Sequence, residues 1–144
     1  MNEMKLVELF WNIYRRLVKR LSPIARRQGM SMSELVVLWK AHQVGECRVT
    51  ALADDLGVPP STVTGMMDRL VEAGWLERER DPGDRRAVVM KGTPALAELV
   101  RGLKHEGSRT LEKALRGVPE TVRNRLGEDL ATVLECLEKE EHTA

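Results

Sequence analysis

The chain has 144 residues, 42% of them hydrophobic and 31% charged, with a formal net charge of +1 at pH 7; this size and balance suit one soluble domain around a single core. No apolar run approaches the roughly 20 residues that cross a bilayer, and the N-terminus has no signal-peptide pattern, so a cytoplasmic protein with no membrane partner is expected. Cys47 and Cys136 lie far apart without CxxC or CxxH spacing, which points away from a disulfide framework or a zinc knuckle; His42 and Cys47 are five apart with no further ligand evident, so no metal is expected, and no cofactor either.

From Leu6 to about Arg27, Leu6, Leu9, Phe10, Ile13, Leu17, Leu21 and Ile24 recur at helical spacing. Residues 1–30 carry seven Lys or Arg against two Glu. Pro23 removes a backbone donor and predicts a kink or division; Gly29 ends the helix. Ser31 to Glu34 has capping-box spacing and opens a second helix, closed by Val44 and Gly45. Thr50 is expected to cap a short third helix that stops at Gly57. After the tight connection Val58-Pro59-Pro60, a fourth helix runs from about Ser61 to Ala73 and ends at Gly74. The segments WLERER and RRAVVM flank a turn and form a hairpin. Thr93-Pro94 starts a helix reaching roughly Arg116, in which Gly102 and Gly107 each cost about 1 kcal/mol relative to Ala. Gly117-Val118-Pro119-Glu120 leads into a last helix ending near Lys139. A short helix, a brief turn, a second helix and a two-stranded ribbon make a winged helix-turn-helix.

On the fourth helix, Val63, Met66, Met67, Leu70 and Val71 share one side and should pack against Leu52, Leu56 and Trp75. The other side presents Ser61, Thr62 and Gly65, with Thr64 on its border and Asp68 and Arg69 further along. Small hydroxylated residues at a helix start let DNA approach closely: their oxygens and the free N–H groups meet phosphates, and Ser or Thr touches base edges. Taken alone, Ser61 reads first as a helix cap; it is the order of parts around it that points to DNA.

In the hairpin, Asp81-Pro82-Gly83-Asp84 supplies the turn. Alternation beyond it sends Asp84 and Arg86 one way and Arg85 the other. Asp84 is thereby placed to hold the Arg86 guanidinium by charge-assisted hydrogen bonds; an exposed pair adds only about 0–1 kcal/mol, so its value lies in aiming the arginine. Residues 48–91 carry seven positive and eight negative groups, so DNA binding here must rest on placed cations and not on bulk charge.

The block from about Arg48 to Lys91, through LADDLGVPPSTVTGMMDRLVEAGWLER and DPGDRRAVVM, resembles the DNA-binding core of the MarR family of transcriptional regulators. The resemblance implies a mainly α fold with a small β-hairpin wing, in which residues 1–144 form one domain. Residues 31–92 would be the winged helix-turn-helix, and 1–30 and 93–144 the dimerisation helices. It implies a homodimeric, sequence-specific repressor on pseudopalindromic double-stranded DNA, and not an enzyme; no catalytic constellation is present. Two recognition helices would enter successive major grooves, about 34–36 Å apart. The Asp-x-Arg pattern places Arg86 in the minor groove, oriented by Asp84, where narrow grooves attract arginine. Arg85 is then a phosphate contact, with Arg78 and Arg80 as further candidates. The candidate DNA-binding set is Ser61, Thr62, Thr64, Gly65, Arg69, Arg85 and Arg86. Two departures stand out: Gly65, where the family often has a long polar residue, and KGTPALAEL at the start of the fifth helix.

Members of the family commonly respond to small aromatic ligands, oxidants or metals. Trp11, Tyr14 and Trp39 either line an apolar pocket for such a ligand or belong to the core. Cys47, in the polar GECR segment beside Arg48, reads as a partly exposed thiol with a lowered pKa, and Cys136 as a packed one. Two alternatives to the ligand-modulated repressor therefore stand: a winged-helix protein-interaction module, and a thiol-based redox-sensing regulator of the same fold.

Overall fold

A computed structural model of the protein describes residues 1–141. Its elements run α1 (Glu3–Arg27), α2 (Met32–Val44), β1 (Glu46–Cys47), α3 (Val49–Leu56), α4 (Pro60–Glu72), β2 (Leu76–Asp81), β3 (Asp84–Gly92), α5 (Pro94–Leu115) and α6 (Glu120–Glu141). Two compact units, Met1–Gly107 and the part from Ser108 on, divide the chain within α5.

The first unit holds the winged helix-turn-helix. α1 starts earlier than its apolar periodicity indicates, because the Lys5 N–H donates to the Asn2 side chain at 3.0 Å and closes the first turn. Pro23 lies inside a helix that continues through it, so the chain is not divided there. Only the C-terminal part of α1 reaches the core, where Ala25 is buried with Leu21 and Ile24 packed around it. Its first half leaves Leu6, Leu9, Phe10, Ile13 and Tyr14 exposed.

α2 opens with the expected capping box: the Glu34 N–H donates to Ser31 Oγ at 3.1 Å, and the Ser31 N–H donates to Glu34 Oε2 at 2.9 Å. Val37, Leu38 and Ala41 of this helix are fully buried against Val63 and Met67 of α4, Leu76 of β2, and Leu96 and Val100 of α5. β1 is a strand that local sequence did not indicate. It pairs antiparallel with β3, Glu46 opposite Lys91 and Cys47 opposite Met90, which makes a three-stranded sheet of order β1-β3-β2.

α3 corrects the expected cap. Arg48, not Thr50, occupies the N-cap position, without a side-chain cap bond, and its carbonyl accepts from the Leu52 N–H at 3.1 Å. Thr50 falls in the first turn because β1 ends at Cys47 and only Arg48, itself extended, separates it from the helix start. Gly57 then ends α3 at φ +65°, a left-handed conformation that glycine adopts without a Cβ penalty. Pro60 sits at the first position of α4, where its missing N–H costs nothing.

In the second unit, α6 buries no side chain within the chain. Val122, Leu126, Leu130, Val133, Leu134 and Leu137 are exposed along it at helical spacing. Cys136, expected to pack, is exposed.

Candidate nucleic-acid interface

α4 is oriented by its inward side. Val63, Met67 and Leu70 are buried, and Met66 and Val71 pack against the same core along with Leu56 and Trp75. The opposite face is therefore turned to solvent: Ser61, Thr62 and Thr64 are exposed and Gly65 is half-buried. Ser61 follows Pro60 inside the first turn, so it is not the helix cap. The Thr64 hydroxyl donates to the Pro60 carbonyl at 2.9 Å, which leaves its oxygen as an acceptor. Gly65 has open space around it; a Cβ would meet only Arg69 Nη1, at 3.8 Å.

Arg69 has a partner that sequence did not reveal. Its Nε donates to Glu34 Oε1 at 2.8 Å, with the Arg69 side chain 63% exposed and that of Glu34 11% exposed. The α2 capping box is thereby joined to the recognition helix. Burial pushes the Glu34 carboxyl up, but the Ser31 amide and the Arg69 guanidinium outweigh it and hold the pKa below the usual glutamate value.

The wing departs from simple alternation. β2 and β3 pair regularly from Leu76 opposite Gly92 to Arg80 opposite Val88, and then Asp81 stands opposite Asp84. Arg85, Arg86 and Ala87 consequently have no counterpart on β2. Such a bulge re-aims side chains, and the expected opposite pointing of Arg85 and Arg86, which assumed regular pleating, does not carry over to it. Asp84 also works differently from expectation. Its Oδ1 accepts from the Arg86 backbone N–H at 3.0 Å and not from the guanidinium, because a carboxylate two residues upstream closes a local turn on the main chain. Asp84 thus shapes the backbone that carries Arg86.

Asp81 anchors the wing turn. Its Oδ1 accepts from the Gly83 N–H at 2.8 Å, and its carboxylate pairs with Arg48 at the head of α3. The Arg48 guanidinium holds the Asp81 carboxyl below its usual pKa, and Asp81 in turn raises that of Arg48. Arg78 pairs with Asp68 of α4. Lys91 lies 3.2 Å from Glu79 and 3.3 Å from Glu46, which raises its pKa, through Glu79 first. Four of the seven cations between residues 48 and 91 are therefore paired with acids. Among the described residues, Arg80, Arg85 and Arg86 have no acidic partner, and all three belong to the wing. The near-zero local charge conceals a neutralised scaffold with free arginines at one end. Of the residues involved, Arg48 and Asp81 were not expected as partners, and Glu34 was legible only as a cap; their pairings join segments 33 and 35 residues apart and leave no local signal.

The other candidates fall elsewhere. Cys47 is buried in β1, not part-exposed in a loop, and burial raises the pKa of its thiol. That corrects the expectation of a lowered pKa and removes the basis for a redox-sensing Cys47. Trp11 and Tyr14 are 59% and 57% exposed, with ring centroids 5.8 Å apart, so neither is core within the chain. Trp39 is partly buried against the core, with Lys104 Nζ 5.8 Å from its ring centroid. No helix among the described residues is long and apolar enough to cross a membrane.

A short helix, a glycine turn, an exposed-faced second helix and a two-stranded wing define a winged helix-turn-helix protein. The family model described as MarR family matches residues 30–88. The uncharacterized HTH-type transcriptional regulator YfiV of Bacillus subtilis (strain 168) is 30% identical over 109 residues, 76% of this chain and 68% of that protein. A shorter stretch of 62 residues, 43% of this chain and 40% of the relative, is 34% identical to the HTH-type transcriptional repressor MdtR of the same organism. The fold is shared with the transcriptional regulator Tm0710 from Thermotoga maritima, with a TM-score of 0.76 at 24% identity over 96% of this chain and 97% of that one. The chain belongs to the MarR family. It is accordingly a DNA-binding transcriptional regulator and not an enzyme.

Proposed function

We propose that the protein acts as a homodimeric repressor on a pseudopalindromic operator, with α4 of each subunit in a major groove and each wing over the adjoining minor groove. The observation that carries this is the distribution of free groups: the unencumbered arginines lie at the wing, and the small hydroxylated residues lie on the exposed start of α4. In this reading Ser61 and Thr62 meet phosphates and base edges, Thr64 accepts from a base donor, and Gly65 admits close approach of the groove. Arg86 enters the minor groove from a backbone shaped by Asp84, and Arg85 contacts phosphate. Arg69, held through Nε by Glu34, keeps its terminal nitrogens for the DNA backbone. The exposed apolar rows of α1 and α6 supply the dimer contacts, and MdtR, a repressor by name, favours the repressing role.

The test is selection from a pool of random duplexes at several salt concentrations. The proposal expects enrichment of a palindrome with a steep fall of affinity with salt. No enriched sequence and no salt dependence would instead favour a winged-helix module that binds protein.

A further inference from the structure

The wing arginines can read DNA only if the wing is held at a fixed angle to α4, and two β-strands ending in a bulge do not secure that by themselves. Asp81 stands where the regular ladder stops: Arg80 is the last residue in register, and the three residues without a counterpart follow on β3. Its side chain is 15% exposed while that of Arg48 is 50% exposed, so the carboxylate is the sheltered member of the pair. One carboxylate makes two connections, to the Gly83 amide inside the turn and to Arg48 on a different element. α3 needs such a partner, since it has no side-chain cap and no acid in its first turn, and a cation at a helix N-terminus is unfavourable unless neutralised.

We infer that Asp81 is a positioning residue for DNA binding: by clasping Arg48 and the Gly83 amide together, it fixes where the wing bulge presents Arg85 and Arg86. This rests on the proposed operator binding. Asp81 touches no DNA itself. It also withdraws Arg48 from the pool of free cations, so the same contact that sharpens specific binding suppresses indiscriminate attraction to phosphates. Removing the charge at Asp81 should therefore weaken binding to the specific site without weakening indiscriminate binding, which loss of fold does not do.

The experiment compares the full-length protein with Asp81→Asn, Arg48→Gln and Arg48→Lys variants. The probes are the palindromic duplex that the wild type selects and a scrambled duplex of the same composition. Asp81→Asn is expected to bind the selected duplex roughly tenfold more weakly, the scale of one placed arginine contact. It should bind the scrambled duplex as tightly as the wild type or more so, because Arg48 is released. Arg48→Gln should share the loss on the selected duplex, and Arg48→Lys, which keeps the charge, should retain most of the affinity. Without DNA, amides of residues 83–87 should exchange faster in Asp81→Asn while amides of α2 and α4 do not. An Asp81→Asn variant that binds the selected duplex as well as the wild type overturns the role of Asp81, and so does an equal loss on both duplexes. A wild type that selects no duplex overturns the underlying operator reading as well.

Discussion

Glu34 joins two devices, and its replacement can be worked through quantitatively. Glu34→Ala removes the bond from the Ser31 N–H at 2.9 Å and the bond from Arg69 Nε at 2.8 Å, while the Glu34 main-chain bond to Ser31 Oγ survives. The cap contact lies in the range of about 0.5–2 kcal/mol. Because the Arg69 side chain is 63% exposed, solvent screens the ion pair to about 0–1 kcal/mol, and Arg69 is not stranded when its partner goes. The expected cost of Glu34→Ala is about 0.5–3 kcal/mol at neutral pH, with Glu34→Gln losing less because its amide oxygen can still accept one bond. The folded-state pKa is depressed, so the ionised contribution is complete above the unfolded value of about 4.3 and is lost as pH falls through the lower folded value. The gap between wild type and Glu34→Gln should therefore narrow as pH falls below about 4.3. Urea unfolding at fixed protein concentration, at neutral and acid pH, measures both effects. A Glu34→Ala variant as stable as the wild type, or a Glu34→Gln gap that persists undiminished in acid, would refute this account.

Arg86→Ala should weaken binding to the selected duplex with thermal stability unchanged, whereas Arg78→Ala, whose side chain is tied to Asp68, should weaken it much less; equal losses in a binding titration would remove the distinction between free and paired arginines. Met67→Ala, at a fully buried position of α4, should cost about 2–5 kcal/mol in denaturant unfolding, and a negligible cost would contradict the inward orientation of that face. Leu126→Arg with Leu130→Arg places charge in the exposed apolar row of α6 and should shift the protein toward monomer in sedimentation; an unaltered dimer would move the interface elsewhere. In a Cys136→Ser background, the remaining Cys47 should react slowly with a thiol reagent until urea unfolds the protein, since burial raises its pKa; rapid reaction in the folded state would count against its placement in β1.

Local chemistry made much of the fold readable. The Ser31–Glu34 box, the glycine stop at Gly57, the inward row of α4 and the Asp81-Pro82-Gly83-Asp84 turn all act within a few residues, and the structure contains each of them. Contacts made across the chain were not readable. Two residues, Glu46 and Cys47, become a strand only because β3 arrives beside them, and that pairing moves the α3 cap from Thr50 to Arg48. Nothing near Arg69 announces Glu34, and nothing near Asp81 announces Arg48. The bulge at Arg85 to Ala87 reflects a register set by the whole ladder. Burial of Cys47 follows from the same strand, which is why a polar neighbourhood in sequence misrepresented the thiol. Sequence thus identified which side chains could meet DNA, while the pairings decide which of the cations are available.

That availability is measured most directly by the salt dependence of binding to the selected duplex, for the wild type and an Arg85→Ala/Arg86→Ala variant. Each phosphate contact contributes about 0.9 to the slope of log affinity against log salt. With two wings engaged, losing the Arg85 phosphate contact from each subunit should lower the slope by about 2, and loss of Arg86 from the minor groove should not restore it. A slope that stays at the wild-type value would contradict the claim that this regulator holds DNA through a few free wing arginines.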